Sequence, residues 1–359
     1  MEKDTKQLIS DVLAQKTSYA LLFGDANKVL DNFPKESVNC VVTSPPYWKQ
    51  REYDVKKRDE DSIIGQEKEP ELYVQQLLSV FSKVKEVLKQ DGSLWLNLGD
   101  KLFNKNLMGM PWRVALALQK DGWILRNDVI WYRQKGTQSS RTRLRSVYEH
   151  LFHFVKSQKY YYDYKSILVK PKVVPKEING VMISATGVSG RRYRSQIANS
   201  AVLTENEKRD AFAALDETLE KMRDGKIVDF RMTIRGNQRT LHSNNGNVSG
   251  RAKELKEKGF YILKSHADGY MPNDVWSIVP EDEKRDDDEH YAAFPVNLLE
   301  IPIKSCCPPN GLVLDPFVGT GTTVIAALEL DRRGIGIDIS NTYLKIAEKR
   351  VKSIRRKLA

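Results

Sequence analysis

The sequence predicts an α/β protein built on a mostly parallel, doubly wound sheet, with one region inserted into it. Three observations predict this class. Short β-branched runs alternate with helical patterns near both ends of the chain. Between about residues 157 and 289 this alternation disappears, and polar, Gly-containing stretches replace it. After the insertion, a strand, a Gly-rich turn, a helix and a strand ending in an acid follow the pattern of a nucleotide-binding half-sheet.

The elements before the insertion follow from hydrophobic spacing and from turn residues. Leu77, Phe81 and Val84 recur at helical spacing, and Gly92 follows the end of that pattern. Pro111 opens a second helix, and Gly122 closes it. In chain order we predict strands at 19–23 and 38–42, a helix at 71–89, a strand at 93–98, a helix at 111–122, and a hairpin of strands at 123–132 and 148–155.

The insertion itself carries a helix signal. Thr204 and Glu207 form a Thr-x-x-Glu capping box ahead of a helix that runs to about residue 224, where Gly225 stops it. The insertion is therefore folded, at least in part. After it we predict a helix at 295–307, a strand at 312–315, a helix that ends at 330, a strand at 334–338 and a closing basic helix. The chain thus divides into a discontinuous domain, 1–156 with 290–359, and an inserted region, 157–289.

The composition is that of an ordinary globular protein, with 40% hydrophobic and 29% charged residues. No run of about eighteen apolar residues and no signal-peptide core is present, so we expect a cytoplasmic protein with no membrane partner. The three cysteines, Cys40, Cys306 and Cys307, are too few for a disulfide framework, and no His lies at metal-ligand spacing from the adjacent pair. We expect reduced thiols and no metal.

The formal net charge of +11 is concentrated in one stretch. Residues 131–194 contain fourteen Lys or Arg and three acidic residues, so the rest of the chain is neutral overall. A local basic excess is typical of a surface that binds a polyanion, because each cation near a phosphate releases condensed counterions. A solvated cationic face is the alternative interpretation.

The Gly-rich turn predicts a nucleoside site. Residues 315–323 read DPFVGTGTT, and residues 334–338, GIGID, follow about twenty positions later. Gly319 and Gly321 allow the backbone to approach a ligand, and Asp338 at the tip of the next strand can accept two hydrogen bonds from a ribose diol. The three-glycine dinucleotide fingerprint and the Gly-Lys-Ser/Thr phosphate loop are both absent from this motif, which disfavours NAD and ATP.

A second motif, TSPPYW at residues 43–48, ends a predicted strand. An exocyclic amine on a base is a poor nucleophile, because its lone pair is delocalised into the ring. The Ser44 hydroxyl and the Pro45 carbonyl can accept its two N–H bonds and point the lone pair at an electrophile, and the prolines fix that carbonyl. Tyr47 can stack on a base that has left the double helix.

Together, these two motifs resemble those of the exocyclic-amino DNA methyltransferases, which pair a Ser/Asp/Asn-Pro-Pro-Tyr catalytic motif with an Asp-Pro-Phe-x-Gly-x-Gly cofactor motif. Residues 44–47 precede residues 315–321 with the insertion between them, an order that resembles the circularly permuted beta class. The resemblance spans most of the chain. It implies a Rossmann-like methyltransferase sheet, circularly permuted, with S-adenosylmethionine as the methyl donor.

The resemblance also implies roles for individual residues. Residues 290–295 resemble the family's segment beside the methionine moiety, with Tyr291 in place of a proline, and residues 145–154 resemble a segment near the target base. In the latter we interpret His150 and His153 as strand packing rather than catalysis. The implied catalytic residues are Ser44, Pro45, Pro46 and Tyr47. The implied cofactor residues are Asp25, Phe294, Pro295, Asp315, Pro316, Phe317, Gly319, Gly321, Thr322 and Asp338.

Several reactions compete with methylation of cytosine N4. Methylation at C5 needs a cysteine nucleophile in a Pro-Cys pair, whereas Cys306 and Cys307 precede Pro308 here, so we exclude it. Ser as the first motif residue is, by resemblance, commoner in cytosine-N4 enzymes and Asp in adenine-N6 enzymes, which leaves N6 as the alternative. Protein-glutamine and RNA methyltransferases rank third, since they usually carry the cofactor motif first. The two intact motifs argue against an inert DNA-binding module.

Recognition of a DNA sequence requires contacts to base edges, and we assign it to the insertion. Two groups of arginines are candidates for DNA contact, and most of their contacts are expected to be to phosphate. They are Arg141, Arg143, Arg145, Arg191, Arg192 and Arg194. We therefore expect double-stranded DNA as the substrate, and a cognate restriction endonuclease as a possible partner.

Overall fold

The computed structural model describes residues 2–50, 63–134, 141–237, 250–280 and 294–358. They form two compact units, one of Met1–Ile167 with Asn273–Ala359 and one of Leu168–Pro272. The second unit is shorter at both ends than the insertion we expected. The reason is that the N–H groups of Tyr161 and Asp163 donate to main-chain carbonyls of the first unit, and the segment after Pro272 adds a strand to the main sheet.

The chain forms ten helices and fourteen strands within the described residues. The helices are α1 (Glu2–Leu13), α2 (Ala26–Leu30), α3 (Pro70–Val87), α4 (Met110–Lys120), α5 (Gly190–Ala198), α6 (Glu205–Arg223), α7 (Arg251–Lys258), α8 (Val296–Cys306), α9 (Thr322–Glu329) and α10 (Asn341–Leu358). The strands are β1 (Tyr19–Phe23), β2 (Val38–Thr43), β3 (Leu88–Leu98), β4 (Leu102–Phe103), β5 (Asn106–Leu107), β6 (Ile124–Tyr132), β7 (Tyr148–Val155), β8 (Lys176–Ile178), β9 (Val181–Ile183), β10 (Ile227–Ile234), β11 (Phe260–His266), β12 (Val275–Ser277), β13 (Leu312–Asp315) and β14 (Arg333–Asp338).

Eight strands of the first unit form one sheet in the order β1-β14-β13-β2-β3-β7-β6-β12. Strand β7 runs antiparallel to both of its neighbours, and the other pairs are parallel. The mixed α/β class with a mostly parallel sheet is therefore confirmed, as is the hairpin of 123–132 with 148–155. Strand β3 begins five residues earlier than predicted, because Leu88 already pairs with Val38 across a bulge.

The sheet is apolar on both faces, as a parallel sheet covered by helices must be. On one face Leu94, Leu96 and Leu98 of β3 pack with α3 and α4 in the larger core cluster. On the other face Trp95 packs with α8 and α9. Each fully buried aliphatic or aromatic side chain contributes roughly 1.5–3 kcal/mol. The two core clusters of the first unit therefore pack against both faces of the sheet and fix the positions of its strands.

The second unit has a hydrophobic core of its own. The amphipathic helix α6 buries Leu215 and Met222 against Phe230 of the antiparallel pair β10–β11. The predicted capping box is confirmed, because the Glu207 carboxylate accepts from Thr204 N at 2.8 Å and Thr204 Oγ1 accepts from Glu207 N at 3.3 Å. The polar, Gly-containing stretch 186–194 leads into α5. Strands β10 and β11 were not predicted.

Candidate active site

The carboxyl ends of five parallel strands, β1, β14, β13, β2 and β3, meet at one edge of the sheet. Because β7 is antiparallel, its amino end lies at the same edge, where His150 pairs with Leu98. Strands β13 and β2 are direct neighbours, with Leu314 beside Val41. The two motifs, 272 positions apart along the chain between Thr43 and Asp315, are therefore adjacent in space. This edge is the candidate active site.

Asp315 joins the two motifs through its side chain. Its carboxylate accepts hydrogen bonds of 2.6 Å from Thr43 Oγ1, 2.6 Å from Thr323 Oγ1 and 3.0 Å from Phe317 N. The residue is buried, and burial raises the pKa of its carboxyl to about 6. These partners occupy the carboxylate that we expected to line the cofactor pocket. In this structure its observed role is to fix the Gly-rich turn against the end of β2.

The Gly-rich turn needs glycine at two positions. Gly319 has φ +52, and Gly321, the N-cap of α9, has φ +86. A Cβ on Gly321 would lie 2.9 Å from Cβ of Ala347 on α10, so this glycine allows a close approach of helix α10. The hydroxyl of Thr322 accepts from Arg350 at 3.2 Å. Gly321 and Thr322, which we expected at the cofactor, both contact α10.

Asp338 lies at the tip of β14, beside the Gly-rich turn. Its Oδ2 accepts from Gly319 N at 2.8 Å and its Oδ1 accepts from Ser340 N at 2.7 Å. Burial raises the pKa of this carboxyl above its ordinary value. A carboxylate has about four acceptor positions, so two remain for other donors such as the hydroxyls of a ribose.

The other expected cofactor residues differ in their surroundings. Asp25 follows β1 and caps α2, with Oδ1 accepting from Lys28 N at 3.2 Å. Phe317 is half-buried at the edge of the larger core cluster, and Pro316 before it is buried. Phe294 packs partly against the second core cluster. Pro295 is the N-cap of α8, whereas residues 290–293 of the same motif lie outside the described residues.

The Ser-Pro-Pro-Tyr segment is anchored from the α3 side of the sheet. The hydroxyl of Tyr73 donates to the Pro46 carbonyl at 3.0 Å, and the indole of Trp48 donates to the Glu67 carbonyl at 2.9 Å. Pro45 is buried, whereas Ser44 is half-buried. The segment is therefore held rigidly while its first hydroxyl stays accessible at the sheet edge.

Tyr47 is held by both its ring and its hydroxyl. A Cβ on Gly99 would lie 2.7 Å from the Tyr47 ring, so only glycine leaves room for the ring there. The hydroxyl donates to Oε2 of Glu149 at 2.6 Å. Burial and the charge of Glu149 raise the pKa of Tyr47 well above its ordinary value, so the side chain remains a neutral phenol.

Three functional candidates were not found from the sequence. Asn97 Nδ2 donates at 2.8 Å to Tyr47 Oη and at 2.8 Å to Glu149 Oε2. Arg133 pairs with the other oxygen of Glu149 at 2.9 Å. Asn97 and Glu149 are buried, and with Ser44 these side chains form a continuous polar network beneath the motif. The one sequence signal was Glu149, the single acid in the mostly aromatic and aliphatic strand 148–155.

The two histidines of β7 pack within the sheet. His153 stacks on Trp95 at 4.3 Å between ring centroids, and its Nε2 lies 3.1 Å from Ser93 Oγ. Burial lowers the pKa of His153 to about 3, so it is neutral. His150 stacks on Phe152 and lies 2.9 Å from Asp128. Both contacts agree with our interpretation of these residues as strand packing.

The six candidate DNA-contacting arginines are divided between the two units. Arg141 and Arg145 are exposed on the segment before β7 in the first unit, while Arg143 is half-buried and donates to Ser146 Oγ at 3.4 Å. In the second unit, the other three lie exposed on α5, where one forms an ion pair with Asp216. They are Arg191, Arg192 and the ion-paired Arg194.

Two further properties concern metals and membranes. Within the described ranges, no three His, Cys, Asp or Glu side chains come together in a way that could hold a metal ion. The three cysteines are free and buried. Of the helices in the described part of the chain, none is both long and apolar enough to cross a membrane.

Comparison with known proteins agrees with this arrangement. The family model described as DNA methylase matches residues 38–349. The Type II methyltransferase M.SfiI of Streptomyces fimbriatus is 30% identical over an alignment 384 residues long. The alignment covers 91% of this chain and 89% of that protein. The Type II methyltransferase M.SmaI of Serratia marcescens is 28% identical, and the match covers 93% and 91% of the two chains.

Fold comparison gives the same class. PvuII DNA methyltransferase (cytosine-N4-specific) superposes with a TM-score of 0.54 at 16% identity, covering 95% of this chain and 92% of its own. The fold and the family match together define a methyltransferase that uses S-adenosylmethionine. Within that class, this chain belongs to the N6/N4 DNA methylase family.

Proposed function

We propose that this protein methylates the N4 amino group of a flipped-out cytosine at a specific sequence in double-stranded DNA. The observation that carries the proposal is the half-buried Ser44 hydroxyl, held at the carboxyl edge of the sheet one strand away from the Gly-rich turn. A neutral hydroxyl and a proline carbonyl suit an amino group that must be held but not deprotonated beforehand. The PvuII enzyme, which shares the fold, is itself described as cytosine-N4-specific.

The residues at the edge fit S-adenosylmethionine. Asp338 has acceptor positions left for ribose hydroxyls, and half-buried Phe317 offers an apolar surface beside it. When bound, S-adenosylmethionine supplies a methyl group on a positively charged sulfur. Asp315 contributes indirectly, because it fixes the turn that carries Phe317 and Gly319. We also propose that Asp25, at the end of β1, accepts from the adenine amino group.

The base is positioned by the chain's own side chains. Ser44 Oγ and the Pro45 carbonyl accept the two amino hydrogens, which aims the nitrogen lone pair at the methyl carbon. Tyr47, held through its hydroxyl, presents its ring as a stacking surface for the extruded base. The transfer is direct, with no covalent link between the enzyme and the base. The strand order along the chain supports assignment to the circularly permuted beta class.

DNA binding is assigned to the arginines of both units. Arg141, Arg143 and Arg145 precede β7, whose first residues lie at the catalytic edge, and we propose that they contact phosphates there. The second unit, with Arg191 and Arg192 on its helix α5, is proposed to read the target sequence. Because M.SfiI and M.SmaI are Type II methyltransferases, we propose a restriction-modification setting with a cognate endonuclease, in the cytoplasm.

The test is mass spectrometry of nucleosides from plasmid DNA incubated with the purified protein and S-adenosylmethionine, with Ser44→Ala as the control. We expect N4-methylcytosine with the wild-type protein and a loss of signal with the variant. N6-methyladenine instead would retain the fold and the mechanism and overturn the base assignment. If neither product formed, the DNA substrate itself would be wrong and RNA or protein would have to be tested.

A further inference from the structure

Transfer of a methyl group to an exocyclic amine leaves a surplus proton. The amine nitrogen bonds to the methyl carbon as the carbon–sulfur bond breaks and its electron pair stays on sulfur. The nitrogen then carries a positive charge and two hydrogens, one of which must leave to restore the neutral amine. Ser44, the first residue of the motif, is a neutral hydroxyl and cannot keep that proton. A carboxylate that is hydrogen-bonded to the motif can accept it.

Strand β7 supplies a carboxylate, Glu149, that is connected to Ser44 through hydrogen bonds. Ser44 Oγ donates to Tyr47 Oη at 3.3 Å, and Tyr47 Oη donates to Glu149 Oε2 at 2.6 Å. We propose that Ser44, Tyr47 and Glu149 form a proton relay. The relay transfers the surplus proton from the methylated amine to Glu149, which is the final acceptor. This inference rests on the proposed amino-methyltransferase function and deepens it.

Asn97 fixes the direction of the relay. Its Nδ2 donates one hydrogen to Tyr47 Oη and the other to Glu149 Oε2, each over 2.8 Å. An amide nitrogen cannot accept a hydrogen bond, so the Tyr47 proton is directed to the carboxylate. With that proton engaged, the phenol oxygen accepts from Ser44. Asn97 Nδ2 also lies 3.5 Å from Ser44 Oγ as a donor, which leaves one lone pair of Ser44 to accept a hydrogen from the base amine.

The proton moves by exchange along this chain of hydroxyls. The amine gives a proton to Ser44 Oγ as Ser44 passes its own to Tyr47 Oη and Tyr47 passes its own to Glu149 Oε2. Each hydroxyl ends with one hydrogen, as it began, and the carboxylate gains one. Because Tyr47 stays protonated when the site is at rest, it conducts the proton and does not store it. Glu149 later returns the proton to water.

Arg133 completes the arrangement. It binds Glu149 Oε1 at 2.9 Å, and the other carboxylate oxygen, Oε2, accepts from Tyr47. The Arg133 side chain is 31% exposed, against 10% for Glu149, so the arginine is the more solvent-exposed member of the pair. Among the described residues, the titratable or charged groups that contact Glu149 are Arg133 and Tyr47.

The test compares Glu149→Gln, Tyr47→Phe and the double variant with the wild-type protein. Single-turnover methylation is measured by rapid quench across pH, above the range in which the base itself is protonated. Each single variant should be about 10²-fold slower, the effect typical of a lost acid–base group. The double variant should be no slower than the slower single variant, because the groups act as a unit. The rate should fall toward acid pH in the wild type and stay level in Glu149→Gln.

A merely structural network would behave differently. Tyr73→Phe removes another hydroxyl that holds the motif, the donor to the Pro46 carbonyl, and serves as the matched control. It should lower the thermal unfolding temperature and retain the wild-type pH profile. Multiplicative losses in the double variant, or a Glu149→Gln profile parallel to the wild type, would overturn the relay and leave the methyltransferase assignment intact. A wild-type protein that methylates no DNA base overturns both.

Discussion

Thr43 Oγ1 donates a 2.6 Å hydrogen bond to Oδ1 of Asp315, across the boundary between the strand that carries the catalytic motif and the strand that carries the Gly-rich turn. Both residues are buried. This buried hydrogen bond therefore fixes the position of the proposed base-binding motif relative to the proposed cofactor-binding turn. A buried carboxyl at such a place should make stability depend on pH.

For Asp315→Asn we predict a change in the pH dependence of stability. Burial raises the folded-state pKa of Asp315 from 3.8 to about 6, so the folded protein binds this proton more tightly than the unfolded chain does. Stability therefore falls as pH rises from about 4 to about 6, by on the order of 3 kcal/mol. The Asn variant cannot ionise and should lose this component in urea unfolding measured at several pH values.

Asp331→Asn is the matched control for that experiment, because Asp331 is exposed on the same unit. Its unfolding curves should follow the wild-type pH dependence. An Asp315→Asn protein with the full wild-type dependence between pH 4 and 6 would contradict the assignment.

Ser44→Ala and Asp338→Ala should fail in opposite ways. Without the serine hydroxyl, the base amine loses one acceptor in the transition state, so turnover should fall by roughly 10²-fold or more while cofactor affinity stays the same. Without the Asp338 carboxylate, affinity for S-adenosylmethionine should fall by roughly 10-fold or more. Calorimetric titration and steady-state kinetics separate the two, and the reverse pattern would refute both roles.

Gly321→Ala should lower the free energy of unfolding of the first unit by more than an alanine replacement at a glycine that has open space around it. The φ of +86 costs an alanine about 1 kcal/mol, and the new Cβ would lie 2.9 Å from Ala347, which adds roughly 1–3 kcal/mol of overpacking. Gly109→Ala isolates the backbone contribution, because Gly109 has φ +65 and open space around it. Equal losses of unfolding free energy in the two variants would mean that helix α10 moves to make room.

Arg143→Ala and Arg191→Ala should each weaken DNA binding and lower its salt dependence. A side chain that neutralises one phosphate contributes about one unit to the slope of log affinity against log salt concentration. Lys16→Ala is the control, since Lys16 precedes the amino end of β1 at the opposite edge of the sheet. Fluorescence anisotropy at several salt concentrations measures the slope, and an unchanged slope in both arginine variants would remove them from the interface.

Much of the first unit could be predicted from its sequence because its signals are local. The strands that carry Ser44 and Asp338 end in the motif residues themselves, and the flanking helices have clear hydrophobic spacing. The motifs also predicted that the carboxyl ends of the strands form the site. They could not indicate the hydrogen bonds that the side chains of Asp315 and Thr322 make within the protein, because these partners lie far away along the chain or on another helix.

The parts that were missed depend on pairing between distant segments. Asn97 and Glu149 meet only because β7 runs antiparallel beside β3 in one particular register, with Leu98 opposite His150. Nothing within either strand specifies that register. Strands β10 and β11 pair across an intervening helix, and the alternation of Phe230, Met232 and Ile234 was the local signal available for the first of them.

The two ends of the second unit lie close to each other. Val169 N donates to Tyr270 O at 2.9 Å and Tyr270 N donates to Val169 O at 3.1 Å, so residues close to its two ends are joined by two hydrogen bonds. A segment of about a hundred residues whose ends already meet can be replaced by another of different length with little cost in loop closure. If the second unit reads the target sequence, as we propose, exchange of this segment between related enzymes would give the same methylation chemistry a new target sequence.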